Sequence, residues 1–155
     1  MTAVKICGLS TPETMAAALD AGADMVGLVF YPRSPRHVTL DQAARLAGQA
    51  RGRASIVALT VDASDEDLRA ITTAVEPDFI QAHGAETPAR VAAIHDLTGL
   101  PVIKAIKVHD AADVAQAAAF SAAAFLILYD AKAPETLTGA LPGGNGLAFD
   151  WNLLG

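Results

Sequence analysis

The sequence predicts an α/β fold built on a parallel sheet, and three observations carry that expectation. Short β-rich runs alternate with alanine-rich amphipathic segments along the chain, the rhythm of repeated right-handed βαβ units. Helix-start signals stand where those amphipathic segments begin. Several strands also carry polar residues at two-residue spacing. An open sheet covered on both faces would have to bury such residues with partners, whereas a closed barrel can turn them inward near its catalytic end. This last observation favours a barrel.

The β-rich runs predict six strands, at Val4 to Cys7, Met25 to Phe30, Ile56 to Val61, Phe79 to Ala82, Val102 to Ile106 and Phe125 to Tyr129. Ser10 with Glu13 and Thr39 with Gln42 have capping-box spacing, Ser64 and Asp110 are N-cap candidates, and Thr87-Pro88 puts proline at a first helical position. Gly22 and Gly99 stand where helices stop. No linker, low-complexity tract or boundary interrupts the pattern, so residues 1–155 read as a single domain.

Composition narrows the function. With 52% hydrophobic and 18% charged residues the chain belongs with soluble globular proteins. No apolar run approaches the length of a membrane span, and the N-terminus lacks a basic region followed by an apolar run. A single cysteine permits no intramolecular disulfide, in keeping with a reducing cytoplasm. A net charge of −6, with 11 dispersed basic residues, argues against a nucleic-acid surface. It does not exclude a small phosphorylated metabolite, which a few local charges and helix N-termini can hold. His37, His83, His95 and His109 lack H-x-x-x-H spacing, and neither G-x-G-x-x-G after a strand nor a Walker sequence occurs, so no metal and no nucleotide cofactor is expected.

Chemistry-bearing residues cluster at predicted strand ends. Cys7 closes the first strand, where α/β folds keep their reactive groups; a deprotonated thiol there can act as base or nucleophile, and the alternative is a packed core cysteine. Lys5 and Cys7 share one strand face, as do Gln81 and His83. Lys104 is another polar residue within an apolar run, and Lys5 and Lys104 are candidates either for the barrel interior or for structural pairing with carboxylates. Asp130 is the first polar group beyond the sixth strand, as a catalytic group or a helix cap. The loop Pro32-Arg33-Ser34-Pro35-Arg36 offers two guanidinium groups, each able to grip a carboxylate in two parallel hydrogen bonds. The glycine-containing stretch 131–146 reads either as a cover over the site or as an ordinary connection.

Val4-Lys5-Ile6-Cys7-Gly8-Leu9, Asp20-Ala21-Gly22-Ala23-Asp24, Gly27-Leu28-Val29-Phe30 and Pro32-Arg33-Ser34-Pro35-Arg36 resemble the opening of the phosphoribosylanthranilate isomerases of tryptophan biosynthesis. Gln81-Ala82-His83-Gly84, Tyr129-Asp130-Ala131-Lys132 and Gly143-Gly144-Asn145-Gly146 with Phe149-Asp150-Trp151 resemble that family's later signatures, in order. Ala82 departs from the family by replacing a larger aliphatic residue, a matter of packing. The resemblance implies a (β/α)8 barrel of TIM type with about six of eight βα units in this chain, and an aldose-to-ketose Amadori rearrangement. It implies Cys7 as general base, Asp130 as general acid, Arg36 as the clamp on the anthranilate carboxylate, and Gln81 and His83 as substrate-binding residues.

The two catalytic groups are then required in opposite protonation states. Two other readings stay open: another phosphosugar isomerase or epimerase barrel, which would not need Cys7, and a non-catalytic partial barrel that assembles with a second chain. Barrels of this class hold phosphate through loops after strands seven and eight. The expectation is therefore a chain lacking those units, whose edge strands one and six invite self-association or a complementing fragment.

Overall fold

A computed structural model, which describes residues 2–133, 143 and 145–154, orders six parallel strands as they occur in the chain. They are β1 (Lys5–Cys7), β2 (Met25–Phe30), β3 (Ser55–Thr60), β4 (Phe79–Ala82), β5 (Val102–Val108) and β6 (Leu126–Ala131). Between them run α1 (Pro12–Asp20), α2 (Leu40–Ala50), α3 (Asp65–Val75), α4 (Pro88–Thr98) and α5 (Ala111–Ala115), the last continuing into a 3-10 segment, Gln116–Phe120. The result is a curled sheet with helices on its outer side, the (β/α)8 barrel type over six units.

The pleat sorts the side chains. Val26, Leu28 and Ile56 point outward onto Met15, Leu19, Leu46 and Ala47 of α1 and α2. Ala58, Ile80, Ala82, Val102 and Ile106 meet Leu68, Ile71, Val91 and Ile94 of α3 and α4. These apolar layers fix each helix against the sheet and leave the alternate strand positions to face the barrel interior. Ala82 belongs to the outer layer, so its small side chain is a helix-packing feature.

Helix starts follow local chemistry with one shift. Thr39 and Gln42 form a reciprocal capping box, Ser64 pairs likewise with Asp67, Thr87 caps α4 ahead of Pro88, and Asp110 caps α5. At α1 the cap is Thr11, paired with Thr14 in place of Ser10 with Glu13. Pro12 explains this: a residue preceding proline is pushed out of the helical region, and Thr11 is extended at φ −129° and ψ 154°. The C-terminal strands also differ from expectation. β5 runs on to Val108 because β6 reaches Ala131, pairing Lys107 with Asp130 and Val108 with Ala131. Asp130 therefore lies inside the last turn of pleat of β6. Beyond it, Lys132 Nζ stands 3.6 Å from Asp113, whose carboxyl is held below its usual range chiefly by the N–H of His109, donating at 2.9 Å.

Of the two readings open for Lys104, the barrel interior is the one that does not hold. Lys104 is paired with Ala82 across β4 and β5, and therefore shares the outward face of that residue. There Nζ bonds Glu86 Oε2 at 2.8 Å and the carbonyl of Gly84 at 2.8 Å, with the two side chains only 4% and 1% exposed. Glu86 in turn accepts the N–H groups of Asp62 and Gly84. The structural pairing with a carboxylate is the reading that holds for Lys104. This buried charge pair pins the loop after β4 to β5 and to the end of β3.

Removing one partner of such a pair leaves an uncompensated buried charge. Lys104→Met is expected to lower the unfolding free energy by roughly 3–5 kcal/mol, measured by urea denaturation; a change within about 1 kcal/mol would mean that the pair is not buried in solution.

Candidate active site

Because all six strands run the same way, their C-terminal ends open on one side, where parallel barrels carry their chemistry. A cavity of ≈ 190 Å³ lies there. β1 supplies Lys5 and Cys7, the segment from Val29 to Arg36 supplies Tyr31 and Ser34 as well, β3 leads in with Leu59, β4 supplies Gln81 and His83, and β6 supplies Leu128 and Asp130. Lys5 with Cys7 and Gln81 with His83 face one space, as their strand-face spacing predicts, Asp130 joins them from β6, and Lys5 takes the interior position that Lys104 does not.

The thiol of Cys7 fits because of its neighbour across the ladder. Cys7 pairs with Gly27 of β2, and a Cβ at residue 27 would stand 2.6 Å from Sγ and 3.1 Å from the Cys7 Cα. Glycine in mid-strand marks a close approach, and here it makes room for the sulfur. Immediately after the strand, Gly8 adopts φ +85°, a conformation that suits glycine. The Arg36 side chain lies over it: a Cβ on Gly8 would meet Arg36 Cδ at 2.5 Å, and Arg36 Nη1 reaches the Cys7 carbonyl at 3.4 Å. The loop that delivers Arg36 is tied by Arg36 N–H donating to the buried Ser34 hydroxyl at 3.1 Å. Of the two loop arginines, Arg36 lines the cavity, while Arg33 is exposed to solvent and lies outside its lining.

On the opposite wall, three side chains are joined in a chain. Gln81 Nε2 stands 3.0 Å from His83 Nδ1, and His83 Nε2 stands 3.1 Å from Asp130 Oδ2. His83 and Gln81 are buried, whereas the Asp130 side chain is 27% exposed toward the cavity. Gly143 closes over this pair: a Cβ there would meet His83 Nε2, and would come within 2.6 Å of Asp130 Oδ2. One end of the glycine-containing stretch thus borders the site; residues 134–142 and 144 lie outside the described residues. Reasoning from strand ends missed Gly8, Gly27 and Gly143, although glycine inside the apolar run Val26-Gly27-Leu28 was a legible signal of close approach.

A thiol, a carboxyl group hydrogen-bonded to an imidazole, and a guanidinium around one cavity can combine proton abstraction, proton donation and carboxylate binding. Comparison with known proteins points the same way. Residues 4–155 match the family model described as N-(5'phosphoribosyl)anthranilate (PRA) isomerase. The N-(5'-phosphoribosyl)anthranilate isomerase of Brucella canis is 52% identical over 97% of this chain, which spans 67% of that relative. The crystal structure of phosphoribosyl anthranilate isomerase from Thermotoga maritima superposes with a TM-score of 0.85 at 32% identity, covering 99% of this chain and 70% of the other. A phosphoribosyl anthranilate isomerase in complex with reduced 1-(o-carboxyphenylamino)-1-deoxyribulose 5-phosphate gives 0.78 at 30% identity, over 84% of this chain and 66% of that one.

Gly27→Ala tests the geometry of the thiol directly. The added methyl is expected to cost about 1–3 kcal/mol through overpacking and to displace Sγ, which alkylation kinetics read without ambiguity because Cys7 is the chain's single cysteine. Unchanged stability together with an unchanged alkylation rate would place the thiol elsewhere.

Proposed function

The chain belongs to the N-(5′-phosphoribosyl)anthranilate isomerase family, and from that premise we propose that Cys7 and Asp130 are the base and acid of its reaction and that Arg36 holds the substrate. The activity is the aldose-to-ketose isomerisation of N-(5′-phosphoribosyl)anthranilate in tryptophan biosynthesis, by general acid–base catalysis. The observation that carries the residue assignment is the convergence of Cys7, Arg36 and Asp130 on one cavity from three separate parts of the chain.

Asp130 in its acid form donates a proton to the furanose ring oxygen. The anthranilate nitrogen's lone pair assists departure of that oxygen from C1′, and the ring opens to a Schiff base. Cys7 as thiolate then takes the proton from C2′. The electron pair released forms the C1′=C2′ bond of an enolamine and the nitrogen regains its lone pair. Tautomerisation returns a proton to C1′ and yields the 2′-ketone. Throughout, the Arg36 guanidinium faces the carboxylate of the anthranilate ring, and a planar fork on a planar carboxylate fixes the ring's orientation as well as its charge. Arg36 lies over Gly8, the residue after Cys7, which supports a clamp beside the base.

The substrate class, a phosphosugar joined to anthranilate, needs no nucleic-acid or membrane surface, and no helix among the described residues is long and apolar enough to cross a membrane. Reduced thiol chemistry on a freely diffusing metabolite supports a cytoplasmic site of action. The outer edges of β1 and β6 pair with no strand among the described residues, and the apolar Ile6, Phe125 and Leu126 beside them are exposed. These features support pairing with further strands, whether from a complementing segment or a second copy. Size measurement in solution, with and without such a segment, distinguishes them.

Turnover is followed by the loss of the substrate's anthranilate-like fluorescence. Cys7→Ala is expected to abolish it while the fold and most substrate affinity persist; a near-normal kcat would remove Cys7 as the base. Asp130→Asn is expected to lower kcat by about a hundredfold or more, the scale of general acid catalysis, whereas an unchanged rate would reduce Asp130 to a structural group.

Arg36→Met is a ground-state loss and is expected to appear chiefly in KM. One charge-assisted interaction is worth roughly 1.5–3 kcal/mol, or about tenfold to a few hundredfold in affinity. A variant that still discriminates as well as wild type against a substrate lacking the carboxylate would transfer the role to another residue, with Arg33 tested next.

A further inference from the structure

The mechanism leaves open which oxygen of Asp130 carries the acid proton, and the chain Gln81–His83–Asp130 bears on that point. Asp130 Oδ2 faces His83 Nε2 at 3.1 Å. A neutral imidazole has one N–H and one bare nitrogen, so the group facing Nδ1 decides which nitrogen holds the proton. That group is the Gln81 side-chain amide at 3.0 Å. If it presents N–H, Nδ1 must accept and Nε2–H donates to Asp130. If it presents oxygen, Nδ1 holds the proton, and Nε2 faces Asp130 as an acceptor in the neutral ring or as a second donor in the imidazolium.

Burial chooses between these two arrangements. Gln81 is 1% exposed and its Oε1 has no hydrogen-bond partner. Its neighbours in register are Leu59 on β3 and Ile103 on β5, both apolar. Whichever end of the amide points away from His83 is therefore left without a partner. An orphaned carbonyl is tolerated inside proteins more readily than orphaned N–H groups, and reversing the amide would strand both N–H donors in place of one N–H and one oxygen. The arrangement with N–H toward Nδ1 is the cheaper one.

We propose that Gln81 is a positioning residue that holds His83 as its Nε2–H tautomer, so that His83 donates permanently to Asp130 Oδ2 and the acid proton is confined to Oδ1. His83 then stays neutral through the cycle: Asp130 Oδ1–H gives its proton to the ring oxygen, the resulting carboxylate keeps its hydrogen bond from Nε2–H, and no proton passes along the chain. Gly143, packed over both His83 Nε2 and Asp130 Oδ2, shields that bond on its outer side. The orphaned Gln81 oxygen is the cost of the arrangement, and its presence in an otherwise satisfied strand is the mark of a residue kept for another purpose.

This inference rests on Asp130 being the acid, and its test separates the two. Nitrogen-15 NMR of His83 in the wild-type protein is expected to give the neutral Nε2–H tautomer across the pH range in which the enzyme turns over. Finding the Nδ1–H tautomer or the imidazolium there overturns the proposal and leaves the acid assignment standing. In Gln81→Met, checked for folding by circular dichroism, His83 is expected to populate both tautomers, kcat to fall about tenfold and KM to change by less than about twofold. A Gln81→Met protein that keeps a single Nε2–H tautomer, or that loses the tautomer without losing kcat, overturns it as well. Failure of the acid assignment would show instead in Asp130→Asn retaining its rate, with the wild-type tautomer as predicted. Because the wild-type spectrum needs no variant, the proposal stays falsifiable even where Gln81→Met does not fold.

Discussion

Parallel pairing in register is the constraint from which the site follows. Cys7 sits beside Gly27, Leu59 beside Gln81, and the N–H of His83 continues the ladder by donating to the Thr60 carbonyl at 2.9 Å. With every strand running the same way, the last inward residue of each is delivered to the same rim. A slip of one residue in any strand would exchange its inner and outer sets. Cys7 would leave the cavity, and Ile6, which faces away from it, would enter.

The rim residues are held by contacts of two kinds. Steric contacts act where glycine lets groups approach: Gly27 under the Cys7 sulfur, Gly8 under Arg36, and Gly143 against His83 and Asp130. Polar contacts act where burial makes an unpaired group expensive. Lys104 and Glu86, on the helix side of the sheet, take up backbone groups of Ala82, Gly84 and Asp62, and so fix the loop that follows His83. The cavity-lining groups thus rest on a framework whose buried ion pair lies outside the barrel interior.

The proposed chemistry asks for a carboxyl that keeps a proton and a thiol that has lost one within a single cavity. Separation across the mouth serves that division. Cys7 stands on β1 with a guanidinium near its backbone, and Asp130 stands on β6 against an imidazole.

Much of this was legible in the sequence because it is set by local physics. Alternating β-rich and amphipathic segments fix a parallel α/β fold, two-residue spacing puts Lys5 with Cys7 and Gln81 with His83, and the Thr39, Ser64, Thr87 and Asp110 caps depend on residues three positions apart. Where the local reading shifted, at Thr11, a neighbouring proline had overruled the cap. What the tertiary structure alone decided involves residues far apart in the chain. The direction of Lys104 depends on its pairing with Ala82, and the reach of β6 to Ala131 depends on the extension of β5. The chain of bonds from Gln81 to Asp130 spans 47 residues at its last link. Spacing along one strand tells which side chains share a face, but it cannot tell which face is inside, since that is fixed only when the neighbouring strands and the helices above them are in place.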